Sequence, residues 1–230
     1  MTRYPIRLVA LMGILVLSVT SLGNVAHGQE SLVSRPADLS IDSIFQSNDF
    51  SGETFVGQWQ SDSQGFERIK RDAKTGDTSI VSVDLASLAV EQVLVSSEML
   101  TPAGAETPLR MDSYQWSHDK SKLLIFANTE RVWRYNTRGD YWVLDMKSKS
   151  LMQIGGDASA SSLMFAKFSP DAEQVAYVYK SDLYLQNVSD RSITRLTDTA
   201  KAAKINGTFD WVYEEEFSIR DGFRFSPDGK

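Results

Sequence analysis

The chain has 230 residues, 42% of them apolar and 23% charged, an ordinary globular composition with enough length for a sizeable core. A formal charge of −6 argues against nucleic acid or an anionic membrane as partners. There is no cysteine, which removes disulfides and thiol nucleophiles, and two histidines are too few for a histidine-rich metal site.

The N-terminus reads as a secretory signal: Arg3 and Arg7, an apolar run from Leu8 to Val19, then small residues at Ala26-His27-Gly28. Residues 1–28 are therefore expected to be a signal peptide cut before Gln29, and the mature protein to be periplasmic or extracellular. The apolar run is short for a transmembrane helix, so an uncleaved anchor is the minor alternative and no other membrane contact is expected. Cleavage removes two arginines and no acid, leaving 22 of the 24 basic side chains against 30 acidic ones, a net charge of −8.

Residues 29–52 form a polar lead-in, within which Ser40–Phe45 has the composition of a short helix. From Glu53 onward the pattern becomes short runs of valine, tyrosine and phenylalanine between turn residues. Examples are Ile80–Val83, Leu123–Phe126, Tyr141–Leu144 and Val175–Tyr179. No long helical period is present, so the expected class is all-β.

One small motif recurs: Trp59-Gln60-Ser61-Asp62, Trp116-Ser117-His118-Asp119, Phe168-Ser169-Pro170-Asp171 and Phe225-Ser226-Pro227-Asp228. The aromatic positions are 57, 52 and 57 residues apart. Each motif ends a strand on an aromatic and enters a turn suited to proline and aspartate. A further strand in each of the first three units ends on Asp84, Asp145 or Asn187. Four-stranded units at such a period are the mark of a β-propeller, so residues 53–230 are expected to be a partial propeller. The final Pro227-Asp228-Gly229-Lys230 falls inside a turn, and a longer protein is expected to continue from it.

The chemistry of hydrolysis is missing. His118 takes the turn slot that Pro170 and Pro227 take in its sister repeats, and no Gly-x-Ser-x-Gly elbow is present. No catalytic residue, metal or cofactor is expected in this chain. What stands out is Asp210-Trp211-Val212-Tyr213-Glu214-Glu215-Glu216-Phe217, three carboxylates between aromatics that prefer burial. It reads either as a solvated acidic turn or as carboxylates held by a packed base. A strand would send Glu215 and Glu216 to opposite sides, whereas a helical turn sets them about 100° apart and lets both serve one site. A primary ammonium, with three donors, suits such a pair. The structural alternative is an ion pair with the hairpin Glu130–Asp140, which carries Arg131, Arg134 and Arg138.

Asp210-Trp211-Val212-Tyr213-Glu214-Glu215-Glu216, followed by Ile219-Arg220-Asp221-Gly222-Phe223 and Ser226-Pro227-Asp228-Gly229, resembles the dipeptidyl peptidase IV family of serine exopeptidases. Phe168–Asp171, Val175–Val178, Asp182–Leu185 and the Asn206-Gly207 lead-in extend the resemblance, while residues 29–110 match only in general character. The resemblance implies roughly the first half of an eight-bladed propeller that caps a C-terminal α/β-hydrolase domain absent from this chain. It implies release of X-Pro or X-Ala dipeptides from free N-termini. By position, Glu215 and Glu216 would grip the substrate α-ammonium, Glu214 would support the turn, and Arg134, in Trp133-Arg134, would contact a substrate carbonyl and the acidic pair. Arg131 and Arg138 remain alternative counterparts. The implied partners are a peptide N-terminus, the hydrolase domain of the same protein and, as in relatives that dimerise, a second copy. The rival reading is a non-enzymatic periplasmic propeller that binds a protein partner. Asn187-Val188-Ser189 and Asn206-Gly207-Thr208 also match glycosylation sequons.

Overall fold

The computed structural model describes residues 40–47, 50, 55–61, 64–87, 91–199 and 203–229; the expected signal peptide, residues 1–28, lies outside them. The chain divides into two compact units, Met1–Glu53 and Thr54–Lys230. In the first, a five-residue helix α1 (Ile41–Phe45) begins at Ser40. The Ser40 hydroxyl accepts from the Ser43 amide and the Ser43 hydroxyl accepts from the Ser40 amide, a reciprocal cap that explains why the helix starts there.

The second unit is built from antiparallel meanders. β1 (Gln58–Trp59), β2 (Gly65–Arg71), β3 (Thr78–Asp84) and β4 (Glu91–Val95) pair in sequence order as one sheet. β5 (Met111–Trp116), β6 (Lys122–Arg131), β7 (Asn136–Asp145) and β8 (Leu151–Gln153) form the second meander. β9 (Leu163–Phe168), β10 (Gln174–Tyr179), β11 (Asp182–Asn187) and β12 (Ile193–Arg195) form the third. The second and third join where Arg138 and Gly139 of β7 pair with Met164 and Leu163 of β9. The expected all-β class and four-stranded repeats are thus present.

Successive side chains of a strand point to opposite faces, and β6 shows what that does here. Leu123 and Ile125 enter a core with Ile80, Val95 and Leu100 from the first meander, while Leu124 between them enters a second core with Val175 and Tyr177 from the third. The middle meander is buried on both faces. That is why its strands read as unbroken apolar runs rather than alternations. Each fully buried aliphatic side chain contributes about 1.5–3 kcal/mol.

Three of the four repeated turns share a serine-to-aspartate hydrogen bond, and Asp62 of the first lies outside the described residues. Ser117 Oγ donates to Asp119 at 2.7 Å and accepts from the Lys122 amide at 2.9 Å; Ser169 Oγ likewise donates to Asp171 at 2.5 Å and accepts from the Gln174 amide at 3.0 Å. Ser226 donates to Asp228 at 2.7 Å. The fourth turn residue is left-handed in all three, Lys120, Ala172 and Gly229, although only the last is glycine. His118 is an exposed residue of this turn. The strand-end residues Asp84, Asp145 and Asn187 each accept backbone N–H groups two or three residues on.

Hydrogen bonds from Ser117 and then Ser121 hold Asp119 at a pKa of about 2, against 3.8 ordinarily. Its folded pKa is depressed, so its stabilising contribution is complete above about pH 4 and is lost as pH falls through about 2. Denaturant midpoints measured from pH 6 to pH 2 should fall across that window, and less steeply in Asp119→Asn. Ile125→Ala, at a fully buried position shared by β5, β6 and the first meander, should cost about 2–5 kcal/mol in urea unfolding.

Candidate functional site

In a four-stranded meander the first and third turns lie at one end, and the middle hairpin and the connection to the next meander lie at the other. The β6–β7 hairpin and the long segment after β12 therefore emerge at the same end. Their strands run further than the apolar patterns alone indicate: β6 and β7 each have ten residues and carry the hairpin out to a tip at residues 132–135. The tip is closed by the Val132 amide donating to the Tyr135 carbonyl at 3.1 Å. Gly139 allows the close approach within the arm, since a Cβ there would lie 2.5 Å from the Phe126 ring.

The segment after β12 is anchored at its base. Asp182, 1% exposed, accepts from Thr197 Oγ1 at 2.7 Å, from Asn206 Nδ2 at 2.9 Å and from Arg195. Burial opposes its ionisation, but those three donors outweigh it and keep its pKa below the usual carboxylate range. The Asn206 amide is thus occupied in holding the stem. Gly207 has φ +77°, and a Cβ on it would lie 2.5 Å from Val178 Cγ2. Thr208 bridges Asp221, the Gly222 amide donates to the Gly207 carbonyl at 2.9 Å, and the Phe209 amide donates to the Arg220 carbonyl at 3.0 Å. On the return side Asp221 pairs with Lys167 of β9 and with Arg224. Burial pushes the Lys167 pKa down, partly offset by Asp221, and Asp221 stays low despite burial because of Lys167 and Arg224.

Between these stems lies helix α2 (Trp211–Phe217). Asp210 caps it by accepting from the Tyr213 amide at 3.1 Å. Phe209 stacks on Tyr213 with ring centroids 4.8 Å apart, and Tyr213 meets Phe217 at 5.5 Å. Ser218, left-handed at φ 54°, ends the helix. The acidic run is therefore helical, and three consecutive glutamates meet three environments. Glu214 is buried, the Glu215 side chain is 8% exposed, and Glu216 is exposed.

Glu215 Oε2 pairs with Arg134 Nη1 at 2.8 Å, which brings two of the three expected site residues together. Glu216 neighbours Glu215 on the helix. Of the alternative arginines, Arg131 donates through Nε to the Trp133 carbonyl at 2.8 Å, and Arg138 stands opposite Glu130 in the β6–β7 register. A second contact was not anticipated: the Arg220 guanidinium lies 3.8 Å from the centre of the Tyr135 ring. Glu214 Oε1, Glu215 Oε1 and Arg220 Nε are buried without a hydrogen-bond partner among the described residues. Two carboxylate oxygens of α2 thus lie buried and unpaired beside a cationic hairpin tip. Exposed Trp133, Tyr135 and Trp211 are further aromatic side chains of these two segments. Among the described residues no cluster of three or more acidic or histidine side chains could hold a metal ion, and no helix is long and apolar enough to cross a membrane.

Residues 117–230 match the family model of the dipeptidyl peptidase IV N-terminal region. The dipeptidyl peptidase 4 of Trichophyton rubrum is 31% identical over 148 residues, 64% of this chain and 19% of that protein. That of Trichophyton tonsurans is 30% identical over the same length. The crystal structure of Porphyromonas gingivalis dipeptidyl peptidase 4 shares the fold with a TM-score of 0.66 at 22% identity, covering 83% of this chain and 26% of that one. The matched part of this chain spans about a fifth of the length of these curated relatives.

The stem geometry makes a prediction. Gly207→Ala forces a Cβ into Val178 and a side chain into the left-handed region, at a cost of about 1–3 kcal/mol. Limited proteolysis should cut within residues 203–222 faster in the variant, while β5–β8 stays protected.

Proposed function

We propose, from the premise that this chain carries the N-terminal region of the dipeptidyl peptidase IV family, that α2 and the β6–β7 hairpin tip form the docking site for the free amino end of a peptide. In this reading Glu215 and Glu216 accept hydrogen bonds from the α-ammonium, while Arg134 orients Glu215 and donates to the first peptide carbonyl. The observation that carries it is the 2.8 Å Arg134–Glu215 pair, in which a nearly enclosed carboxylate meets an arginine whose side chain is 65% exposed. That arginine retains donors for a second acceptor, because a guanidinium carries five N–H groups.

An ammonium held at a fixed point acts as a ruler. It places the second peptide bond against a nucleophile, and binding energy at the terminus becomes orientation at the scissile bond. The nucleophile belongs, in this reading, to an α/β-hydrolase domain of the same protein, and the activity is release of X-Pro or X-Ala dipeptides outside the cytoplasm. Specificity for a free terminus follows from the same groups. An acylated amine cannot satisfy the carboxylates, and a site with unpaired polar groups rejects such an analogue strongly.

In the full-length enzyme, Glu215→Ala and Glu216→Ala should each lower kcat/KM for a Gly-Pro chromogenic substrate by roughly 30- to 5,000-fold, the equivalent of about 2–5 kcal/mol. Circular dichroism should be unchanged. Near-normal turnover in both variants would overturn the reading. Affinity for a free-terminus peptide should also fall as pH rises past about 8, where its α-amino group loses its proton.

A further inference from the structure

Two consecutive hairpin residues touch the α2 segment by different physics. Arg134 reaches Glu215 through an ion pair at 2.8 Å, and Tyr135 receives the Arg220 guanidinium on its ring face at 3.8 Å. The first contact uses a carboxylate that an incoming ammonium also claims. The second uses no carboxylate at all. We infer that Arg220 is a positioning residue: by stacking on Tyr135 it holds the hairpin tip against the α2 segment, so that Arg134 stays in place while Glu215 is shared with a ligand.

This rests on the ammonium-site reading for its purpose, although not for its geometry. A cation over an aromatic face is directional and independent of the carboxylates' occupancy. Arg220 is itself fixed, because its carbonyl accepts from the Phe209 amide at 3.0 Å and the next residue, Asp221, pairs with Lys167 of β9. The hairpin tip by contrast is closed, among the described residues, by one backbone bond from Val132 to Tyr135 and by Arg131 Nε donating to the Trp133 carbonyl, both internal to the hairpin, so external contacts weigh heavily on its order. An ammonium arriving at Glu215 weakens one tether; the Arg220–Tyr135 stack is the tether it leaves intact.

The test is amide hydrogen exchange on this chain, read in peptides covering residues 130–138, for wild type, Arg220→Ala, Tyr135→Ala and Tyr135→Phe. Arg220→Ala and Tyr135→Ala should each speed exchange at the tip by roughly 2- to 30-fold, with β3 unchanged as an internal control. Tyr135→Phe keeps the ring face and should behave as wild type. Unchanged tip exchange in Arg220→Ala would overturn the inference, as would Tyr135→Phe behaving like Tyr135→Ala. Calorimetric titration with the tripeptide Gly-Pro-Gly adds a separate arm, in which Arg220→Ala should weaken binding by a similar factor. If the wild-type chain fails to bind the tripeptide while the exchange pattern holds, the ammonium reading fails and the stack stands as the tether of the tip. If the tripeptide binds equally to wild type and Arg220→Ala, the positioning role falls.

Discussion

The site depends on one long-range contact, the ion pair between Arg134 at a hairpin tip and Glu215 on a seven-residue helix. Neither element is stable by itself. A two-turn helix is far below the length at which helices persist in water, and an extended hairpin tip has few partners of its own. Each is therefore carried by the meanders beneath it. The β6–β7 arm is a direct extension of strands whose other ends are buried, and α2 is held between stems pinned by Asp182 on one side and Asp221 on the other.

The order of the meanders explains why these two pieces meet. Antiparallel strands put the middle hairpin and the outgoing connection at one end, and the serine–aspartate turns at the other. The two ends have different chemistry. At the turn end, carboxylates are spent on local structure: Asp119, Asp145, Asp171 and Asp190 accept from nearby hydroxyls and amides, which hold their pKa values low. At the α2 end, Glu214 and Glu215 each keep a buried oxygen that no described residue satisfies. Local turns close their own hydrogen bonds, whereas the α2 end leaves these two acceptors without a partner among the described residues.

Much of this was legible in the chain itself, and the reason is locality. The Ser-x-Asp turns could be read because their circuit joins residues two to five apart. The blade strands could be read because burial on both faces leaves unbroken apolar runs such as Leu123–Phe126. The helical form of Trp211–Phe217 followed from the demand that adjacent carboxylates serve one site. The length of β6 and β7 was hidden, because beyond Ala127 the arm is polar, bulged at Asn128 and interrupted by Gly139. The choice of Arg134 over Arg131 and Arg138 needed the resemblance, since hairpin and helix lie about 80 residues apart and three arginines share one short segment. Arg220 was in plain view four residues after the acidic run. Nothing in its spacing pointed to Tyr135, because cation–ring stacking leaves no periodic trace. Asp182 was hidden too, as an acid at the start of a strand whose partners come from two places, Arg195 and Thr197 at and just after the end of β12 and Asn206 beyond it.

In the proposed reading Glu215, set by Arg134, recognises a protonated amino end. Its most direct measurement is a pair of calorimetric titrations, Gly-Pro-Gly against its N-acetyl counterpart, each into the wild-type chain and into Glu215→Gln. Wild type should prefer the free amine by at least tenfold, and the preference should collapse in Glu215→Gln, whose amide keeps the shape and loses the charge. A Glu215→Gln chain that still discriminates as well as wild type would contradict it.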